Sequence, residues 1–112
     1  MPGHVTPSRA NETRRAKPLS ETEILDLSEI FAALSDPTRV RIIYAILAQE
    51  RSVGEIATTL DLSEPSVSQH LRRLRSLRIV RVRQAGRHRY YRLDDEHVET
   101  LLSVCLDHVR GG

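Results

Sequence analysis

Apolar residues recur at helical spacing in five stretches of the chain and alternate with polar ones in a sixth, and this order predicts the elements. Ser20 followed by Glu23 is a capping box, and Ile24, Leu27, Phe31 and Leu34 after it mark a first helix. Asp36-Pro37 ends that helix and sets proline in the first turn of a second, which carries Val40, Ile43 and Leu47 as its stripe and ends near Gln49. Ser52 and Glu55 form another capping box, for a short third helix with Val53, Ile56, Ala57 and Leu60 on one face. Asp61-Leu62-Ser63 gives a tight turn. Ser63 then caps a fourth helix reaching about Leu77, which tolerates Pro65 early and turns Val67, Leu71 and Leu74 inward. Beyond Leu77 the period falls to two. Val80 and Val82 alternate with Arg81 and Arg83, Ala85-Gly86 makes a turn, and His88 to Leu93 returns as the second strand of a hairpin. Tyr91 shares its face with Leu93 and is expected to pack beneath the hairpin. Asp94 or Asp95 caps a last helix with two neighbouring stripes, Val98, Leu102, Cys105 and Val109 beside His97, Leu101, Val104 and His108.

Two short helices joined by a turn of about three or four residues form a helix-turn-helix. With the hairpin as a wing, the fold is mainly α, a winged helix-turn-helix of four helices, two strands and a closing helix. Residues 1–18 lack an apolar period, hold three prolines and carry Arg9, Arg14, Arg15 and Lys17, so they read as a flexible basic arm. Residues 19–112 read as one DNA-binding and dimerisation domain. A chain of 112 residues, 39% hydrophobic, supports a single core, and a domain so small favours association into a dimer. No apolar run is long enough for a membrane span or a secretory signal, which leaves the cytoplasm as the expected compartment. The one cysteine, Cys105, excludes an intramolecular disulfide and a multi-thiolate metal site, and its place on an apolar stripe predicts a buried, inert thiol.

The net charge of +2 conceals a sharp segregation. Ser63 to Leu93 holds nine arginines against one acid, Glu64, whereas Leu19 to Asp36 holds five acids and no base. That basic block is the electrostatic footprint of a polyanion-binding surface. Small polar residues near the start of the fourth helix, Ser63, Ser66 and Ser68, admit its backbone to the major groove, where Gln69 can pair with adenine and His70 lies alongside. Arg72, Arg73 and Arg75 suit phosphates, and Arg87, His88 and Arg89 at the hairpin tip suit the minor groove or flanking backbone. An ordinary solvated polar face would explain the helix alone but not the helix, turn and basic hairpin together. Aromatics make up only 4% of the chain, too few for single-strand stacking, and nothing forms a nucleophile with an oxyanion site, so no enzyme and no protein substrate is expected.

On the last helix His97 and His108 lie eleven residues apart, nearly on one face but about 16 Å apart along the axis. One helix cannot bring both to one ion. Two copies packed antiparallel can, giving two equivalent sites of Asp95 and His97 from one chain and His108 from the other, with oxygen and imidazole donors that suit zinc, or alternatively cobalt or nickel. The other reading makes Asp95 a helix-capping acid and both histidines plain surface groups.

The run Phe31-Ala32-Ala33-Leu34-Ser35-Asp36-Pro37-Thr38-Arg39, the segment Leu62 to Leu71 and Gly86-Arg87-His88-Arg89-Tyr90-Tyr91 together resemble the ArsR/SmtB family of bacterial repressors. The resemblance covers nearly everything after Leu19. It implies a homodimer built on the first and last helices, bound to operator DNA and released when metal binds. The family's thiolate site on the third helix needs cysteine near Arg51 to Glu55, where this chain has none. Its zinc site on the last helix needs Asp-x-His, a histidine eleven residues on, and a histidine or glutamate three further. Asp95, His97 and His108 match, and the last slot falls on Gly111. Water, the terminal carboxylate of Gly112 or an arm residue such as His4 can complete the shell. The alternative function is a regulator of the same type without a working metal site, controlled by another signal.

Overall fold

The computed structural model describes residues 17–111, so most of the basic arm, His4 and Gly112 lie outside the described residues. The helices are α1 (Glu21–Leu34), α2 (Pro37–Leu47), α3 (Val53–Leu60), α4 (Glu64–Ser76) and α5 (Glu96–Val109). The strands are β1 (Arg51–Ser52), β2 (Val80–Ala85) and β3 (His88–Leu93). Side-chain oxygens begin all five of the described helices by accepting from backbone N–H groups: Ser20, Asp36, Ser52, Ser63 and Asp95. Both expected capping boxes are closed, Ser20 with Glu23 and Ser52 with Glu55.

The hairpin is part of a three-stranded antiparallel sheet of order β1-β3-β2. Strand β1 was not foreseen, because two residues carry no period and its pairing, Arg51 opposite Tyr91, is non-local. The turn is Gly86-Arg87 rather than Ala85-Gly86, since Ala85 still pairs with His88. A two-residue hairpin turn needs positive φ at its first position, and Gly86 supplies it with φ 62°.

Ile42, Ile43, Ile46, Ile56, Val67, Leu71 and Leu74 form the centre of the core, joined by Ile79, Val80 and the buried Tyr91. The inward face of α2 therefore differs from the expected stripe. Val40 is exposed and Leu47 half-buried, because α2 packs mainly against the α3 and β3 side through its three isoleucines.

Two apolar faces find no cover among the described residues. Ile24, Leu27 and Phe31 on α1, and Leu101, Val104 and Val109 on α5, are exposed, and α5 buries no residue fully. Between these helices runs an apolar groove of about 480 Å³ that includes Phe31, Val40, Leu101 and Cys105. Cys105 is thus exposed, and the burial expected for it does not arise from packing among the described residues.

Candidate functional site

The helix α4 is positioned from both ends. At its start the Ser63 hydroxyl accepts from the backbone N–H of Ser66 at 3.2 Å, and Leu62 N–H bonds back to Ala57 carbonyl at 2.9 Å, which fixes the angle to α3. At its end Arg78 N–H reaches Arg75 carbonyl and Ile79 N–H reaches Leu74 carbonyl, the two bonds of a Schellman stop. Arg78 takes the left-handed conformation there, φ 59°, where glycine is usual, and a basic residue at this position suits the negative end of the helix dipole.

Between these ends the buried Val67, Leu71 and Leu74 leave one direction open. At about 100° per residue, Gln69, Arg72 and Arg73 point away from the core, and all three are exposed. Ser66 and Ser68 lie on the flanks and are half-buried, and Arg75 is exposed beside Ser68. His70 occupies the opposite flank, and its Nδ1 accepts from Nε of Arg39 at 3.2 Å. No local pattern ties Arg39 to His70, because the two lie 31 residues apart and the local role of its segment is to start α2.

On the wing, Arg87 holds the turn and His88 and Arg89 are exposed beside it. Two neighbouring arginines are already committed. Arg83 pairs with Glu50 and lies over the Tyr90 ring at 5.0 Å, and its hydrogen bonds hold the Glu50 carboxyl below its ordinary value. Arg81 binds the Asp94 carboxylate through Nε at 3.3 Å and the Asp94 carbonyl through a terminal nitrogen at 2.7 Å. By contrast Arg72, Arg73, Arg75, Arg87 and Arg89 form no ion pair among the described residues, so their charge is available to a polyanion.

The last helix begins on Asp95, which has extended backbone and lies just outside the helix. One carboxylate oxygen accepts from the N–H of His97 at 2.9 Å and of Val98 at 3.4 Å, and the other stands 3.4 Å from Nδ1 of His97. Desolvation pushes the Asp95 carboxyl up, but the His97 ring and the two backbone N–H groups outweigh it and hold the carboxyl below its ordinary value. Two residues apart inside a helix would face different sides; the cap position is what lets them meet. His108 lies in the last turn of α5, exposed. Among the described residues no group of three or more His, Cys, Asp or Glu gathers within the single chain.

This arrangement has close counterparts. Residues 36–82, from the cap of α2 to the first wing strand, match the model for bacterial regulatory proteins of the arsR family. A transcriptional repressor SmtB homolog of Synechocystis is 39% identical over 101 residues, covering 88% of this chain and 76% of that protein. The chain belongs to the arsR family. A Staphylococcus aureus cadmium resistance transcriptional regulatory protein CadC homolog is 40% identical over 98 residues, 87% of this chain and 81% of that one. Among solved structures, a homodimeric winged helix-turn-helix DNA-binding domain from Mycobacterium bovis superposes with a TM-score of 0.76 at 25% identity, covering 84% of this chain and 90% of that chain. As an arsR-family protein the chain is a DNA-binding regulator of transcription and not an enzyme. No helix among the described residues is long and apolar enough to cross a membrane.

Proposed function

We propose that the protein is a homodimeric repressor whose release from operator duplex is driven by zinc, with cobalt or nickel as alternatives, at a site shared between two copies. Asp95 and His97 of one copy and His108 of the partner subunit would hold the ion. The observation that carries this is the 3.4 Å separation of the Asp95 carboxylate oxygen and His97 Nδ1. Zinc bonds of about 2.0–2.2 Å at tetrahedral angles hold neighbouring ligand atoms about 3.3–3.6 Å apart, so this pair fits two corners of one site. When bound, the ion supplies a positive charge and a cross-link between copies, not chemistry on a substrate. The uncovered apolar faces of α1 and α5 support the dimer, since contiguous exposed apolar surface of this kind marks a contact.

DNA reading falls to the surfaces with free polar groups. Ser63, Ser66, Ser68 and Gln69 approach bases or phosphate, Arg72, Arg73 and Arg75 hold phosphates, and Arg87, His88 and Arg89 engage the flanking groove or backbone. Exchanging Gln69 for alanine should relax base preference at one position by about 1–3 kcal/mol, while exchanging Arg73 should weaken binding to all sequences and lower the salt slope by about one. Equal effects of the two exchanges on sequence preference would contradict this division. The functional test is anisotropy of a duplex selected from a random pool by the protein, titrated with each metal at fixed salt. Release at one metal per chain supports the sensor. Tight, salt-sensitive binding indifferent to every metal would leave a family regulator governed by another signal.

A further inference from the structure

The contact between Arg39 and His70 has a chemical direction. An arginine N–H only donates, so the ring nitrogen 3.2 Å from it must carry a lone pair. In the neutral ring the proton then sits on Nε2, on the far side from Arg39. Among the described residues Nε2 has no hydrogen-bond partner, and no unpartnered side-chain nitrogen or oxygen is buried, so this N–H is open to solvent. Arg39 is itself held at its base: its backbone N–H donates to the Asp36 cap at 3.0 Å, and Pro37 fixes the turn between them. The segment Asp36 to Arg39 therefore does more than start α2. It carries a donor across to the flank of α4, beside the exposed Gln69.

Resting on the reading of α4 as the DNA-facing helix, we propose that Arg39 is a positioning residue for sequence recognition, fixing His70 as an Nε2–H donor toward an acceptor on DNA. A ring free to exchange tautomers offers either a donor or an acceptor at its outer edge, and so discriminates poorly. Held by Arg39, it offers only the donor. It complements guanine or adenine N7, or a phosphate oxygen, and rejects a cytosine amino group. Loss of Arg39 thus blurs recognition without removing any group that itself touches a base.

The test combines ring nitrogen NMR with binding to a duplex selected from a random pool by the wild-type protein. The His70 ring should show the Nε2–H tautomer in the wild type and a mixture in Arg39→Met. Arg39→Met should weaken binding to the selected duplex about tenfold, with thermal melting unchanged. In a His70→Ala background the same exchange should have no further effect, because Arg39 acts through the ring. His70→Asn keeps an acceptor for Arg39 but has no N–H at the reach of Nε2, its amide N–H lying closer to the backbone, and should lose at least the same affinity with Arg39 intact. A wild-type Nδ1–H tautomer, or an equal loss from Arg39→Met in both backgrounds, would overturn the proposal. A protein that enriches no sequence would overturn the reading of α4 itself, while the ring spectrum still reports independently on whether Arg39 sets the tautomer.

Discussion

His97→Ala should abolish release of the protein from DNA by zinc while leaving DNA binding in the absence of metal unchanged. His97 is exposed at the start of α5 and makes no hydrogen bond or ion pair to α4 or the wing among the described residues, so its loss should remove none of the contacts proposed for DNA. It removes one of the two donors that stand 3.4 Å apart. Outer-shell groups around a metal carry about 10–100-fold in affinity, and loss of a direct ligand should exceed that. His108→Ala should act alike, although within one chain it is about 16 Å from His97 along the helix. Mixed dimers provide the stronger check. With His97→Ala in one copy and His108→Ala in the other, a shared site predicts one intact site and partial zinc release, whereas a site within each chain predicts none. Acid should reverse the response, because imidazole must be neutral to bind metal. Desolvation raises the Asp95 carboxyl, but His97 and the two backbone N–H groups outweigh it and hold the carboxyl below its ordinary value, so Asp95 stays an anionic donor further into acid than an ordinary carboxylate.

Leu71→Ala should destabilise the fold by about 2–5 kcal/mol, measured by urea unfolding at fixed protein concentration. Its side chain is 0% exposed, on the face of α4 shared with Val67 and Leu74 and within the cluster that joins α2, α3 and the sheet. The neighbours cannot close over the void without moving α4 relative to α3. Small domains have about 5–15 kcal/mol in total, so this single change consumes a large part of it. The exposed Gln69, two positions earlier, should shift stability by no more than about 0.5 kcal/mol when exchanged. A loss below about 1 kcal/mol for Leu71→Ala would mean that α4 is held by its ends rather than by its packed face.

The elements that were legible in the sequence are those fixed by local chemistry. Ser20, Ser52 and Ser63 start helices where a hydroxyl precedes a helical apolar period, and Val67, Leu71 and Leu74 repeat with that period. The stripes of α1 and α5 were legible as apolar but not as uncovered, because periodicity does not say whether a face meets its own chain or another. Strand β1, the Arg83–Glu50 pair and the Arg39–His70 contact depend on segments distant in sequence meeting in space, and no local pattern announces them. Asp95 and His97 were legible as a pair at the first turn. Which carboxylate oxygen faces the ring came only with the extended backbone of the cap.

The two ion pairs on β2 make salt act twice. Arg83–Glu50 ties the wing to the link between α2 and β1, and Arg81–Asp94 ties it to the residue before the Asp95 cap. Both pairs are partly exposed, so the ionic strength that displaces the protein from phosphates also screens the ties that set the wing's angle. A plot of log affinity against log salt should therefore bend downward at high salt instead of following the straight line of simple counterion release. A chain with apolar residues at positions 50, 81, 83 and 94 should recover the straight line, which separates the stiffness of the wing from the charge it presents.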